Sequence, residues 1–173
     1  MGAASIDVPD KLVAFMYQAW DEFDHAIEGL SADEATTREH GGSAIAWTAG
    51  HVANTVDALI SRRFLASPPH PVVGRARFAT GGSGEAADWQ AILQAVAEVR
   101  ETARRSLDSN PDLDLAVHYD GSVAYLRESG LTLRYALMAV AAHHFLHAGE
   151  VITLRSLLGN PAGDCPNWGQ NLV

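Results

Sequence analysis

Three histidines fall within five residues of an apolar helical stretch near the end of the chain, at His143, His144 and His147. His143 and His147 are spaced i, i+4, which places their side chains on one helix face about 5–6 Å apart at Cβ. Two imidazole nitrogens at that separation can bind one metal ion. His144 stands at i, i+3 from His147, so it is either an alternative ligand to His143 or a packing residue. This pattern predicts a metal site on the helix.

A third ligand is expected from His51, which lies inside another amphipathic helical stretch, residues 46–54. A lone histidine on an apolar helix is more often a core residue bonded to a carbonyl, so His51 alone would be weak evidence. Three neutral imidazoles would leave a divalent ion with at least one open position, which is typical of catalytic rather than closed structural sites. Zinc is the first expectation, and nickel or ferrous iron accept the same nitrogens.

Four helical stretches must position these histidines. Apolar residues with helical periodicity predict helices over 9–29, 43–66, 86–107 and 131–158, with Ser43 as an N-cap. The link 68–84 is rich in Pro, Gly and Ser and is too long for a tight connection, so it can cross from one end of a bundle to the other. Alternation around Gly121 favours a short β-hairpin within 115–126. The fold class expected is therefore all-α, a four-helix bundle.

Composition limits the function classes. A length of 173 residues favours a single domain over 1–173, and 47% hydrophobic with 19% charged residues is ordinary for a globular protein. The net charge of −9 disfavours nucleic acid as a partner. The N-terminus lacks a targeting pattern and no run of eighteen apolar residues occurs, so we expect a soluble cytoplasmic protein with no membrane partner.

Two segments of the sequence resemble the DinB/YfiT-like superfamily of metal-binding four-helix bundles. Residues 45–52, Ile-Ala-Trp-Thr-Ala-Gly-His-Val, are similar to the second-helix segment that ends in a metal-binding histidine. Residues 143–151, His-His-Phe-Leu-His-Ala-Gly-Glu-Val, are similar to the fourth-helix motif His-x-x-x-His-x-Gly-Gln/Glu. The resemblance implies His51, His143 and His147 as metal ligands, because the spacing before Gly149 matches His143 rather than His144.

The same resemblance implies further properties. The helices would run up-down-down-up, with the long crossover between helices 2 and 3, and the protein would form a homodimer. Relatives include thiol-dependent S-transferases and mycothiol-dependent maleylpyruvate isomerases, so a metal-activated thiol is expected. The only cysteine, Cys165, lies beyond the fourth helix, which indicates that the thiol comes from a small molecule such as mycothiol.

Residues near the ligands are candidates for orienting them or moving protons. Glu150 follows His147 by three residues and replaces a glutamine common in the family, so it is the candidate catalytic residue. Asn54 follows His51 by three and could fix its second nitrogen. Both would otherwise be solvated helix residues. Trp47 is expected in the core or at a substrate wall, and Trp168 is expected to dock the C-terminal tail or cover the site.

The remaining histidines have no motif around them and are expected at the surface or in loops: His25, His40, His70 and His118. The leading hypothesis is a metal-dependent transferase or isomerase that activates a low-molecular-weight thiol or a water molecule. The alternative is a non-enzymatic metal-binding or stress-associated bundle. A third reading is a bundle without metal, whose stability would not change when metal is removed.

Overall fold

The apolar periodicity of the sequence produces four long helices in the computed structural model, which describes residues 10–38, 41–85 and 88–163. The long helices are α1 (Lys11–Ile27), α3 (Ile45–Val56), α5 (Trp89–Leu107) and α7 (Leu133–Leu157). Three short helices are α2 (Ala32–Thr36), α4 (Arg62–Phe64) and α6 (Ala124–Ser129). A π-helical segment, Asp57–Ser61, joins α3 to α4, and a 3-10 turn spans Ala76–Phe78. The predicted all-α class is confirmed.

Side-chain contacts give the direction of α5 relative to α1. Tyr17, near the start of α1, donates to Asp108 just beyond the end of α5 at 2.6 Å. Asp24, near the end of α1, pairs with Arg100 earlier in α5. Positions along the two helices therefore run in opposite order, and α5 is antiparallel to α1.

Helix α7 runs in the same direction as α1. The rings of Phe15 and Phe145 lie 5.2 Å apart near the start of α1, whereas Arg155 donates to the carbonyl of Ala26 near its end. Helix α3 opposes α7, because His51 meets residues 143–147 while Phe64, which follows in α4, packs on the cluster around Ala136. The order is thus up-down-down-up, as the family resemblance implied.

The helix starts differ in part from the prediction. Ser43 is not the N-cap of α3; the N-cap position is held by Ala44, whose N–H donates to the carbonyl of Gly84 at 3.0 Å. No side chain caps the first turn of α3, and the end of the crossover is hydrogen-bonded to its N-cap residue. Helix α1 begins at Lys11 behind the N-cap Asp10, and the predicted starts at Pro9 and Ala86 lie outside the described residues.

The hairpin predicted within 115–126 is wrong. Strand β1 (Ala116–Val117) pairs antiparallel with β2 (Leu131–Thr132), immediately before α7. Helix α6 lies between the two strands, because residues after Gly121 form a helical turn instead of a returning strand. Gly130 then reverses the chain with φ +81°, a conformation that glycine adopts without steric cost. The small sheet anchors the start of α7.

The core lies between the four long helices, and each helix contributes buried apolar residues to it. Trp20 and Phe23 of α1, Val52 of α3, Ile92 of α5 and Leu137 of α7 are almost fully buried. Among the described helices, α7 is long and apolar enough by length and composition to cross a membrane. In the bundle this helix places one face against α1 and α3, and that face carries the histidines.

Candidate metal centre

The bundle brings His51 of α3 and His143 and His147 of α7 together. The Nε2 atom of His143 lies 3.1 Å from Nε2 of His51 and 3.1 Å from Nε2 of His147. One nitrogen from each ring falls within 4.8 Å of the others. The spacing i, i+4 aligns the α7 pair, and the antiparallel packing of α3 supplies the third ring. These three histidines lie close enough together to bind one divalent metal ion.

His51 is oriented by the crossover that follows α3. Its Nδ1 donates to the carbonyl oxygen of Phe78 at 2.7 Å. The ring also stacks on Trp47, one turn earlier in α3, with centroids 4.8 Å apart and planes 12° from parallel. Because a carbonyl oxygen only accepts, Nδ1 carries the proton and Nε2 presents a lone pair to the other two histidines.

His147 is oriented by its own helix. Its Nδ1 lies 2.6 Å from a carboxylate oxygen of Glu150. Because an ionised carboxylate only accepts hydrogen bonds, Nδ1 carries the proton and donates to this oxygen. The Nε2 atom of His147 is then also a lone-pair donor. A carboxylate behind a ligating imidazole fixes the tautomer and makes the imidazole a stronger ligand. Glu150 therefore lies where an orienting residue is expected.

The donor set fits a metal ion better than a hydrogen-bond network. His143 Nε2 can carry at most one hydrogen, so it cannot donate to both His51 and His147, and at least one 3.1 Å contact joins two lone pairs. A tetrahedral ion with metal–nitrogen bonds of about 2.0–2.1 Å keeps its ligand nitrogens about 3.3 Å apart, close to the two distances that His143 Nε2 makes to the other rings. A cation placed among the three rings satisfies every lone pair.

Electrostatics keep two of the imidazoles neutral, as ligation requires. Burial lowers the pKa of His143 to about 4, with further lowering from His147 and His51. Burial also lowers the pKa of His51, partly opposed by its hydrogen bond to Phe78. The hydrogen bond from His147 holds the pKa of Glu150 below its usual range. At neutral pH His51 and His143 are therefore uncharged and lie near an ionised carboxylate.

His144, the alternative ligand, lies apart from this cluster. Its Nδ1 donates to the carbonyl of Val140 at 2.8 Å, and its ring meets the ring of Phe23 edge-on at 5.9 Å. The side chain is fully buried and its Nε2 atom has no hydrogen-bond partner. His144 is thus a packing residue of the core, while the adjacent position 143 points to α3.

The structure gives specific partners to two neighbours of His51. Asn54 is not hydrogen-bonded to His51, contrary to expectation; its side chain donates to the carbonyl of Val73 at 2.8 Å. Trp47 is 7% exposed and its indole N–H donates to the carbonyl of Arg77 at 2.7 Å, so it is both a core residue and a direct neighbour of the ligand ring. The Phe78 carbonyl could not be predicted from the sequence, because a backbone acceptor leaves no side-chain pattern.

The other histidines lie away from the triad. His25 is half-buried on α1 beside Glu28, and His70 lies in the crossover, 3.0 Å from a carboxylate oxygen of Glu98. His118 is exposed in a loop. His40, Cys165 and Trp168 lie outside the described residues.

A cavity of about 610 Å³ lies between α1 and α5, where Asp21, Asp24 and Glu28 face Trp89 and Leu93. None of the three clustered histidines lines it. We identify the site from the convergent nitrogen atoms, because these specify a chemistry and the cavity alone does not.

Comparison with known proteins identifies the family. The sequence profile of the DinB superfamily matches residues 16–151, a range that includes α3, the crossover and the histidines of α7. Comparison with curated proteins gives no significant match. The match covers most of the chain and contains both segments that carry the ligand histidines. The chain belongs to the DinB superfamily.

Proposed function

We propose that this protein is a metal-dependent transferase or isomerase that activates a low-molecular-weight thiol or a water molecule. The observation that carries the proposal is the convergence of three Nε2 lone pairs from His51, His143 and His147. Zinc is the proposed metal, and nickel or ferrous iron are the alternatives that accept the same nitrogens. Three protein ligands leave room for one exogenous ligand.

When bound, a divalent ion in such a site lowers the pKa of a thiol or water at the open position and supplies a nucleophile. The chain's own residues prepare that position. His51 and His147 are held in the ligating tautomer by Phe78 and Glu150. Glu150 is also the proposed catalytic residue, because its carboxylate is 39% exposed at the edge of the triad and can accept a proton there. A mycothiol-like small molecule is the proposed thiol.

The alternative function is a non-enzymatic metal-binding bundle. The cavity of about 610 Å³ between α1 and α5 favours it, since none of the three clustered histidines lines that cavity. An enzyme needs a pocket of several hundred Å³ that opens onto the reacting atoms.

Thiol reactivity separates the two functions. Zinc-loaded protein would be mixed with a small thiol and a chromogenic electrophile, and the rate of thioether formation compared with that of free thiol. We expect acceleration by the native chain and a loss of about tenfold or more in Glu150→Gln, with Glu128→Gln on α6 as the matched control. A rate equal to that of free thiol, with zinc bound, would favour the non-enzymatic bundle.

We also propose a cytoplasmic homodimer formed through the outer face of α7. Tyr135, Met138 and Leu146 are 42–69% exposed on this face. The small residues Ala142 and Gly149 continue the same helical spacing, Ala142 between Met138 and Leu146 and Gly149 after Leu146. We call these five residues the α7 face. No charged residue is among them, and the face exposes a few hundred Å² of apolar surface, a size that marks interaction sites.

A second copy is the occupant that this face fits best. It carries no Lys or Arg, and the protein has a net charge of −9, so an anionic lipid surface is disfavoured. Phe15, in ring contact with Phe145 beside the face, extends the apolar surface toward the roughly 800 Å² per partner of a stable interface. A Cβ added at Gly149 would meet no atom within 4 Å, so a partner helix can approach closely there.

A further inference from the structure

The crossover segment 73–78 is joined to α3 by a regular series of hydrogen bonds. Three side chains of α3 at i, i+4 and i+7 each donate to a backbone carbonyl of this segment at 2.7–2.8 Å. The pairs are Trp47 with Arg77, His51 with Phe78, and Asn54 with Val73. The middle bond is the one that orients a metal ligand, and the outer two flank it by about one turn on either side.

Close packing holds the same segment against the helix. A Cβ placed on Gly50 would lie 2.4 Å from the ring of Phe78, so this ring rests directly on the α3 backbone. Val73 and Phe78 are both fully buried. The carbonyl that faces His51 is therefore fixed by contacts on both sides of the histidine.

Docking of this segment selects the form of His51 that can bind a metal at Nε2. With the Phe78 carbonyl in place, the proton stays on Nδ1 and the ring plane is fixed. If the segment detaches, the imidazole is free to rotate and to exchange tautomers. Metal binding and docking of segment 73–78 both involve His51, so the two processes are linked reciprocally. Docking therefore favours metal binding, and metal binding favours docking.

We propose that Asn54 and Trp47 are positioning residues that set metal affinity from outside the ligand shell, by docking segment 73–78 on His51. This inference rests on the proposed metal-binding function. It adds that metal binding in turn holds the segment in its docked position, so that the crossover and the metal centre behave as one unit.

The test compares zinc affinity with segment dynamics in the same variants. The Kd for Zn²⁺ would be measured by competition with a chromophoric chelator, and amide hydrogen exchange would be followed over residues 73–79 with and without Zn²⁺. The variants are native, Asn54→Ala and Thr102→Val, where Thr102 also bonds a carbonyl but within α5. Trp47→Phe, which keeps an aromatic ring and removes the N–H donor together with the pyrrole ring of the indole, serves if Asn54→Ala does not fold.

In the native chain, Zn²⁺ is expected to slow exchange over 73–79 several-fold. Asn54→Ala or Trp47→Phe should weaken zinc binding about tenfold, the effect usual for groups that support a ligand indirectly. Thr102→Val should bind zinc like the native chain. Zinc binding by the native chain with unchanged affinity in both α3 variants would overturn this inference alone. Failure of the native chain to bind zinc would overturn the proposed function and the inference with it.

Discussion

His143 and His144 are adjacent in the sequence and have opposite surroundings. A step of one residue turns a helix by about 100°, so one ring faces α3 and the other faces the core of the bundle. His143 meets two other imidazoles, whereas His144 is enclosed beside Phe23 with its Nε2 atom unpartnered. Helical spacing alone could predict that one of the two joins His147. It could not decide which one, because that depends on how α7 is rotated against α3.

The burial of His144 predicts a specific dependence of stability on pH. Burial lowers its pKa to about 3, so the folded protein leaves this residue neutral while the unfolded chain protonates near pH 6.5. Stability that is present above about pH 6.5 is therefore lost as the pH falls toward 3, since the unfolded state binds the extra proton. In His144→Leu this contribution should be absent.

Urea unfolding of metal-free native and His144→Leu protein at pH 7.5 and pH 5 measures the difference. From the size of the shift in the His144 pKa, the free energy of unfolding of the native chain should fall by about 2 kcal/mol more than that of the variant between pH 7.5 and pH 5. Equal losses in both proteins would contradict the assignment of His144 as a buried neutral residue.

At the scale of elements, the ends of helices depend on residues distant in sequence. Arg155 near the end of α7 is 5% exposed, and its guanidinium donates to the carbonyls of Ala26, Glu28 and Asn160. A cation at the C-terminal end of α1 also interacts favourably with that helix's dipole. The existence of all four long helices followed from apolar periodicity. The contacts at the helix ends did not follow from it, because Arg155 and the Gly84 carbonyl that meets Ala44 bind partners at least forty residues away in the sequence.

Replacing Arg155 with Met should destabilise the bundle without changing the metal site. The variant keeps the apolar stem but leaves several carbonyls without a donor, which we expect to cost about 3 kcal/mol in the free energy of unfolding. Chemical denaturation measures this cost. Zinc affinity should stay within about twofold of the native value, because Arg155 contacts none of the three clustered histidines. A parallel loss of zinc affinity would show that the end of α7 is coupled to the centre.

At the scale of the whole molecule, α7 has apolar residues on two different faces. One face carries the histidines and packs in the core, while the α7 face is apolar and exposed. The high apolar content of both faces accounts for a helix long and apolar enough to span a bilayer, although the DinB domain is a soluble fold. Sequence periodicity could not identify the α7 face, since apolar residues have the same helical spacing whether they pack in the core or are exposed on the surface.

The proposed dimer predicts that a charge in the α7 face separates the subunits. Leu146→Glu should convert the native dimer to a monomer of 18.5 kDa, measured by light scattering after size exclusion. Leu115→Glu changes another exposed leucine outside the face and should remain dimeric. A native chain that is monomeric at all concentrations tested would contradict the dimer.

Binding of one metal ion by His51, His143 and His147 is the proposal on which the proposed function depends. Elemental analysis of protein purified without added metal or affinity tag tests it, for the native chain, His147→Ala and the control His144→Ala. We expect about one equivalent of zinc, nickel or iron in the native chain and in His144→Ala, and its loss in His147→Ala. Absence of metal from the native chain, with thermal stability unchanged by added Zn²⁺, would show that the three histidines do not form a metal site.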